Sequence, residues 1–510
     1  MTMRLCPARA FALALASSAV GVAQAAPEVD ALQIEAPWKL SRIETVDVDG
    51  DGIDDLVCVV ADGSRRELRV HVRRPERPRF AAARAIALDP DVVAFAFAKT
   101  KNGAPRALVL FTPERAVEAT DGSDGQRAYR ELFAHEIVWP AAPERDCVPV
   151  QEWTLDLDGD GDDDFALPEP EGARVLLQQA AEQGAQFAVA ARWTLPPFRD
   201  PVALRSKGRS RGRGDGSMRL SFGGDDDGEE KVDARSRGPL LAVRTRSSTI
   251  RFADLDGDGR LDGYALRNES LWQWRQTAPG VFDGAPQKLA LPLPEDRLPL
   301  FDPAFDVQLN DADRDGRADL LLATSASRDN EIETRIDFYL HQKDGDQFES
   351  ERKSRMRVQT LAGSPQWVDV DGDGARDLAA VTLRTDLLGG MMGEAPSLEV
   401  QLNLFRFDAT RFVTPALLTE KLQFPAKRKR GGGAFVRVVA GSGGTPGSVL
   451  VHDGDAIVLR PLQSSGRKLA LQEPSWRTPV QESAVPLPPK DDAKELFVVS
   501  EREVQFVRWQ

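Results

Sequence analysis

Residues 46–60 read VDVDGDGIDDLVCVV, and five aspartates fall within nine positions just before an apolar run. Two carboxylates about 4 Å apart repel each other, and this repulsion grows as the local dielectric constant falls. A turn of this composition is therefore typical of one that encloses a cation. The apolar run that follows predicts a buried β-strand.

The same turn occurs five times: DVDGDGIDDL from residue 47, DLDGDGDDDF from 156, DLDGDGRLDG from 254, DADRDGRADL from 311 and DVDGDGARDL from 369. All five copies carry aspartate at relative positions 1, 3, 5 and 9, and glycine at position 6. Calcium requires about six to eight converging oxygens and a glycine that permits a sharp turn. The sequence therefore predicts up to five Ca²⁺ sites.

We expect the carboxylates at positions 1, 3, 5 and 9 and the backbone carbonyl at position 7 to coordinate the ion. Helices and a glutamate at position 12, both required for an EF-hand, are lacking in these copies. The predicted metal ligands are Asp47, Asp49, Asp51, Ile53 and Asp55; Asp156, Asp158, Asp160, Asp162 and Asp164; Asp254, Asp256, Asp258, Arg260 and Asp262; Asp311, Asp313, Asp315, Arg317 and Asp319; and Asp369, Asp371, Asp373, Ala375 and Asp377.

The spacing of these turns predicts a repeat architecture. The last two intervals between first aspartates are 57 and 58 residues, and the first two, 109 and 98, are close to twice that value. A unit of roughly 50–60 residues therefore repeats, and some units lack the acidic turn. Residues 92–113, 434–462 and 494–509 have the strand pattern of such units, whereas the unit expected within 200–248 is the least clear.

The strand patterns indicate an all-β fold. In residues 56–60 the apolar side chains occupy both strand faces, as expected for a strand covered on both sides, whereas residues 68–73 alternate between apolar and polar. Doubly buried inner strands and half-exposed outer strands are typical of four-stranded blades packed around an axis. We therefore expect a β-propeller of about eight blades, within a range of about seven to nine, with the calcium loops between strands.

The five loops and their flanking strands resemble FG-GAP repeats of the integrin-α type and the related VCBS repeats of bacterial secreted proteins. The resemblance implies a propeller in which some blades hold calcium in a loop between two strands, through the aspartates named above. The sequence departs from the family pattern in two respects. Arg314 replaces the usual position-4 glycine, and the Phe-Gly and Gly-Ala-Pro signature is not present in order.

The N-terminus has the pattern of a secretory signal peptide. Arg4 and Arg9 precede the apolar residues 10–22, and Ala23-Gln24-Ala25 provides small residues for cleavage near Ala25. We expect residues 1–25 to be removed and residues 26–510 to form the propeller, in the periplasm or outside the cell. No later segment has 18 uninterrupted apolar residues, so we expect no transmembrane segment.

The net charge bears on the class of partner, and the cysteine content bears on the presence of disulfides. The net charge is −14, and losing Arg4 and Arg9 with the leader makes it −16, which disfavours nucleic acid. Cys58 and Cys147 would remain, either as free thiols or as one bridge.

Residues 205–235 are strongly charged and rich in glycine and serine, so we expect a mobile insertion there.

These patterns favour a secreted, calcium-binding β-propeller that acts as a binding, adhesion or scaffold module for an unknown protein or glycan, with calcium in a structural role. One alternative is a propeller-scaffold enzyme acting on a polysaccharide or phosphoester, and another is a lectin-like carbohydrate binder. The sequence leans away from an enzyme, because its four histidines are scattered and no GxSxG, P-loop or dinucleotide motif is present. His71 is expected on a solvent-facing strand face.

Overall fold

The computed structural model describes residues 28–74, 80–100, 105–121, 127–137, 139, 148–179, 186–196, 250–267, 269–295, 305–328, 331–342, 348–349, 351–383, 397–425, 435–441, 444–453, 456–465, 468–479, 485–487, 495–500 and 502–508. These residues form 37 β-strands and no helix, so the all-β prediction is confirmed. No helix among them is long and apolar enough to span a membrane. The signal peptide, the insertion at 205–235 and Cys147 lie outside the described residues.

The described strands form eight antiparallel groups, seven of four strands and one of five, numbered here in chain order, with two short hairpins added; groups 5 and 6 are joined into one continuous sheet. Groups 1 to 3 contain β2 (Lys39–Val46), β3 (Asp55–Ala61), β4 (Arg66–His71) and β5 (Arg84–Leu88); β6 (Ala94–Ala98), β7 (Ala107–Phe111), β8 (Arg115–Asp121) and β9 (Arg127–Ala134); and β10 (Thr154–Leu155), β11 (Asp164–Glu169), β12 (Gly172–Gln179) and β13 (Gln186–Thr194).

Group 4 and group 6 each carry one of the hairpins before their outer strand. Groups 4 to 6 contain β14 (Ile250–Ala253), β15 (Asp262–Arg267), β16 (Ser270–Trp274) and β19 (Gln287–Ala290), with the hairpin β17 (Gln276–Ala278) and β18 (Val281–Phe282); β20 (Phe305–Asn310), β21 (Asp319–Arg328), β22 (Glu331–Tyr339) and β23 (Ser354–Leu361); and β24 (Gln366–Val368), β25 (Asp377–Leu383), β26 (Ser397–Phe405) and β29 (Leu418–Pro425), with the hairpin β27 (Phe407–Asp408) and β28 (Arg411–Phe412).

The last two groups complete the arrangement. In group 7, both of the final strands pair with β32, and in group 8 the fourth strand comes from the opposite end of the chain. They contain β30 (Phe435–Val439), β31 (Ser448–Asp453), β32 (Ala456–Ser465), β33 (Lys468–Leu471) and β34 (Trp476–Pro479); and β35 (Val485–Leu487), β36 (Glu495–Val499), β37 (Glu503–Arg508) and β1 (Glu28–Gln33).

The core consists of apolar clusters between consecutive groups rather than one central core. Among the described residues there are eight clusters, and each joins one group to the next, including group 8 to group 1. Strand β3 shows why both of its faces are apolar. Leu56 and Cys58 pack against group 8, whereas Val57 and Val59 pack against group 2. Face-to-face packing of four-stranded sheets in a closed ring is the β-propeller architecture, as predicted.

The two ends of the chain meet in group 8. Strand β1 pairs antiparallel with β37, and Val29 lies opposite Val507 while Leu32 lies opposite Val504. The N-terminal strand therefore covers an edge of the last group that would otherwise expose unpaired backbone groups. Phe506, on the same strand β37, packs with Ile43 of group 1 in one cluster, so the ring closes by packing as well.

Two expectations from the sequence are wrong. The 98-residue interval suggested a further unit near 200–248, but groups 3 and 4 pack directly on each other, with the indole rings of Trp193 and Trp274 stacked at 4.8 Å. The extra length is therefore an insertion between adjacent groups. His71 is buried rather than solvent-facing, and its Nδ1 lies 3.4 Å from the carbonyl oxygen of Ala81.

Candidate metal centres

The five acidic loops occupy equivalent places in the fold. Each connects the first strand of a group to the second, in groups 1, 3, 4, 5 and 6. The second strand begins at the position-9 aspartate in every case, for example at Asp55 in β3 and at Asp377 in β25. The five loops therefore lie at the same end of their sheets.

The position-1 aspartate organises each loop through the backbone. Both oxygens of Asp47 accept hydrogen bonds, from the N–H of Gly50 at 2.7 Å and from that of Gly52 at 2.9 Å. The chain can curl around this carboxylate because Gly52 has φ of +84°, in the left-handed region that glycine tolerates. The loops that begin at Asp156, Asp254 and Asp369 repeat this pattern.

The loop of group 5 shows the effect of the non-glycine residue at position 4. Arg314 adopts φ of +62°, and Asp311 Oδ1 accepts its hydrogen bond from the N–H of Asp315 at 3.1 Å. Asp311 Oδ2 still accepts from Gly316 at 3.1 Å. The loop therefore keeps its shape with one altered bond, at the cost of placing a bulky residue in the left-handed region.

The aspartates at positions 3 and 5 each accept a hydrogen bond from the backbone two residues later. In group 6, Asp371 Oδ1 accepts from the N–H of Asp373 at 3.2 Å, and Asp373 Oδ1 accepts from the N–H of Ala375 at 2.8 Å. A carboxylate oxygen has two lone pairs, so an N–H bond leaves it able to bind a cation as well.

The position-9 aspartate is buried and connects three parts of its group. Asp377 Oδ2 accepts from the N–H of Val370 at 3.0 Å within the loop, and its Oδ1 accepts from Phe407 at 2.7 Å, just beyond the third strand. Its four counterparts make the same two kinds of bond. Position 9 therefore holds the loop against the sheet.

Burial makes the charge on these aspartates costly. Desolvation is the largest influence on each, and it raises the pKa of Asp164, Asp319 and Asp377 to about 7 and that of Asp262 to about 6. Desolvation also raises the pKa of Asp55. Backbone hydrogen bonds act in the opposite direction but do not cancel it. A buried carboxylate of this kind is neutralised by either a proton or a nearby cation.

Each loop brings three carboxylates together. One oxygen from each lies within 4.8 Å of the other two, which is close enough for a single cation to contact all three. The five trios are Asp47, Asp49 and Asp55; Asp156, Asp158 and Asp164; Asp254, Asp256 and Asp258; Asp311, Asp313 and Asp315; and Asp369, Asp371 and Asp377.

The trios contain part of the predicted ligand sets. Positions 1 and 3 converge in all five loops, joined by position 9 in groups 1, 3 and 6 and by position 5 in groups 4 and 5. Metal coordination stays a prediction for every one of these ligands, including those that lie outside the trios. The ligands outside the trios are Asp51, Asp160, Asp262, Asp319 and Asp373, together with the position-7 carbonyls of Ile53, Asp162, Arg260, Arg317 and Ala375.

The sequence did not indicate that the loops also join neighbouring groups. The carbonyl oxygen of Asp254 accepts a hydrogen bond from the N–H of Ala318, in the next loop, at 3.0 Å. Asp163 at position 8 accepts from the N–H of Lys99 at 2.7 Å and from Arg106 Nη1 at 3.0 Å, both in group 2. The only sequence signal for this contact is an aspartate at position 8, which the group 1 loop shares as Asp54.

Comparison with known proteins finds similar solved structures but no matching family. No family model and no curated protein matches the chain. One similar solved structure is an Agrocybe aegerita lectin that recognises non-reducing terminal N-acetylglucosamine, with 11% identity, 95% of this chain and 96% of that chain covered, and a TM-score of 0.39. A Lactobacillus plantarum protein has 12% identity, coverage of 88% and 97%, and a TM-score of 0.32. A periplasmic gluconolactonase of Pseudomonas aeruginosa has 12% identity, coverage of 87% and 97%, and a TM-score of 0.30. Similarity at this level carries no argument about function.

Proposed function

We propose that the protein is an exported, calcium-stabilised β-propeller of eight blades, of the FG-GAP and VCBS type, that acts as a binding, adhesion or scaffold module. One observation carries this proposal. The same loop, at the same place in five groups, brings three carboxylate oxygens within 4.8 Å of one another. Converging carboxylates repel one another, and a bound cation offsets this repulsion.

The donor set fits calcium. Every converging atom is an oxygen, and hard cations such as Ca²⁺ prefer carboxylate and carbonyl oxygens in a flexible geometry. The three oxygens leave room for further ligands from the loop backbone and from water. Magnesium usually demands a smaller octahedral shell and binds through fewer carboxylates, so the arrangement favours calcium.

The position of the loops supports a structural role for calcium. Each loop links two strands of one group, and the group 4 loop also bonds to the group 5 loop. An ion bound there would stiffen the turn and remove the repulsion that opposes contact between groups. The surfaces of the propeller are then available to bind a partner, either a protein or a glycan.

Metal content measured on purified protein tests the calcium proposal. After equilibrium dialysis against about 1 mM calcium, elemental analysis of both compartments is expected to find a protein-bound excess of calcium approaching five ions per chain. Asp371→Asn, which removes a converging carboxylate, is expected to lower this by about one ion. Asp91→Asn, in the exposed turn between β5 and β6 at the opposite end of the sheet from the acidic loops, is the matched control. Wild-type protein that retains less than one ion per chain would contradict the proposal.

Two further measurements address export and binding. Expression of the full chain in a bacterial host is expected to give periplasmic or secreted protein whose mature N-terminus, determined by mass spectrometry, lies near Ala26. Glycan and protein-ligand arrays probed in calcium and in EGTA are expected to show a partner that is retained only with calcium. Binding that is equal in both buffers would separate the binding role from calcium.

A further inference from the structure

A polar cavity of about 340 Å³ lies at the inner edges of groups 4 to 7. Its walls come from the first strand of each of these groups, with Arg251 on β14, Gln308 on β20, Trp367 on β24 and Arg437 on β30. Arg376, at position 8 of the group 6 loop, also lines it. The volume lies within the range of small-molecule binding sites, about 300–1,000 Å³.

Hydrogen bonds between neighbouring groups fix the neutral walls of this cavity. Trp367 Nε1 donates to Gln308 Oε1 at 2.7 Å, and Gln308 Nε2 donates to the carbonyl oxygen of Pro365 at 3.0 Å. The adjacent Gln366 accepts from the N–H of Val438 at 3.2 Å. These bonds join groups 5, 6 and 7, so the cavity is a preformed feature of the ring.

Three guanidinium groups give the cavity its charge. Arg251 and Arg376 are exposed, Arg437 is half-buried, and none of the described lining residues is acidic. Arg251 also hydrogen-bonds with Tyr264, its cross-strand partner on β15, which orients one guanidinium at the wall. A concentration of positive charge in a chain of net charge −14 attracts anions locally.

We propose that this cavity binds a small organic dianion that carries carboxylate or phosphate groups. Guanidinium groups match both because their planar N–H donors form paired, charge-assisted hydrogen bonds with such oxyanions. Three arginines on three different groups suit a ligand with more than one acidic group. The site is opposite in charge to the acidic loops, and Arg376 belongs both to the cavity and to the group 6 loop.

Substitution of Asp306 tests whether the positive charge of the cavity drives anion binding. It lies two residues before Gln308 on β20 and therefore on the same strand face. Its Oδ2 is buried, and no hydrogen-bond partner for it is found in the described part of the chain. Because Asp306 is not a lining residue, Asp306→Asn is expected to leave the cavity intact. Removal of its negative charge is expected to tighten anion binding.

Calorimetric titration of the full mature chain with succinate and, separately, glycerol 2-phosphate tests the proposal. Both probes bind calcium weakly, so calcium and ionic strength can be held constant. At least one is expected to bind saturably, and Arg376→Gln is expected to weaken binding by about tenfold or more, the loss expected for one charge-assisted hydrogen bond. Arg411→Gln, on an exposed strand outside the cavity, is the matched control.

The pattern of results decides between the outcomes. Binding that falls in Arg376→Gln and Arg437→Gln, is unchanged in Arg411→Gln and rises in Asp306→Asn supports the site, and the preferred probe identifies the acidic group. Binding of neither probe up to about 10 mM, far weaker than ordinary metabolite affinities, would overturn it. Equal weakening in the cavity variants and in Arg411→Gln would also overturn it, because a diffuse charge effect would then explain the affinity. None of these outcomes alters the calcium measurement.

Discussion

In the part of the chain that the structure describes, the turns between the first and second strands of groups 2 and 7 lack the acidic motif, and they differ from the five loops in how they are held. In group 7, the turn between β30 and β31 donates three backbone hydrogen bonds to the group 6 loop. Gly441, Gly444 and Gly447 bond to the carbonyl oxygens of Asp369, Gly372 and Val370 at 2.8, 2.9 and 3.0 Å. In group 2, Lys99 and Arg106 bond to Asp163 of the group 3 loop.

The comparison separates two ways to stabilise a turn. An acidic loop binds its own backbone through aspartates and, in our proposal, requires a cation to offset their charges. A turn without aspartates is fixed by the loop of the adjacent group. The two kinds of turn are therefore coupled. If an acidic loop loses its shape, the non-acidic turn that is hydrogen-bonded to it loses its support.

Calcium removal is expected to have the largest effect, because it acts on all five loops together. If each loop binds at about 0.1 mM, about 1 mM free calcium contributes roughly 1.4 kcal/mol per site, and five independent sites sum to about 7 kcal/mol. That is comparable with the whole stability of a domain. Melting temperatures in EGTA and in calcium are expected to differ by many degrees. Superimposed melting curves would contradict the structural role.

The pH dependence of the folding stability in the absence of calcium is expected to be the second largest effect. An aspartate whose folded pKa is raised contributes stability that is complete below its unfolded pKa, and this stability is lost as pH rises through the folded pKa. Burial lowers the pKa of His71, His135 and His341, which acts in the opposite direction, but only below about pH 6.5.

The informative window is therefore about pH 6.5–8, where the buried aspartates titrate alone among these groups. In EGTA the melting temperature is expected to fall across this window. Saturating calcium is expected to flatten the trend, because the ion replaces the proton. The groups responsible are Asp164, Asp319 and Asp377, whose pKa burial raises to about 7. A melting temperature that rises with pH in EGTA would show that other groups dominate.

A matched pair of glycines tests the contact between loop and turn. Gly159 and Gly372 both occupy position 4 with φ of +80°, so alanine strains both backbones alike. A Cβ at Gly372 would lie 2.5 Å from the carbonyl oxygen of Thr445 in the group 7 turn, whereas one at Gly159 would meet nothing within 4 Å. Gly372→Ala is therefore expected to destabilise more than Gly159→Ala by about 1–3 kcal/mol. Equal losses in denaturant unfolding would mean that the turn does not depend on this loop.

The smallest effect is expected from a single ligand substitution. Asp373→Asn removes one charge near Asp371, whose pKa is raised by burial and also by Asp373. With calcium present, it is expected to cost up to about 1.4 kcal/mol, the contribution of one site. In EGTA it is expected to be neutral or slightly stabilising, because the remaining acids then repel less. Equal costs in the two buffers would show that Asp373 does not act through the ion.

The sequence predicted the parts of the structure that depend on local pattern. The apolar residues on both faces of residues 56–60 indicated a doubly covered strand, and β3 packs against groups 8 and 2. The register of the aspartates predicted that positions 1 and 3 converge, as they do in all five loops. Both patterns involve only neighbouring positions, so a few consecutive residues are enough to recognise them.

Features that depend on distant contacts could not be predicted in the same way. The interval between Asp156 and Asp254 cannot distinguish a missing unit from an insertion, whereas contacts such as the stacking of Trp193 on Trp274 show that the two groups are adjacent. Arg251 and Arg437 are 186 positions apart and have no shared motif, so their meeting in one cavity follows from closure of the ring.

Anomalous diffraction from crystals grown in calcium, recorded at long wavelength, would reveal bound calcium in the acidic loops. We expect a calcium peak within each of the five carboxylate trios, bonded to oxygens at about 2.3–2.6 Å. We expect no such peak at the group 2 turn beside Arg106 or at the group 7 turn beside Gly444. Loops without peaks in saturating calcium, or peaks at the two non-acidic turns instead, would contradict calcium binding by the acidic loops.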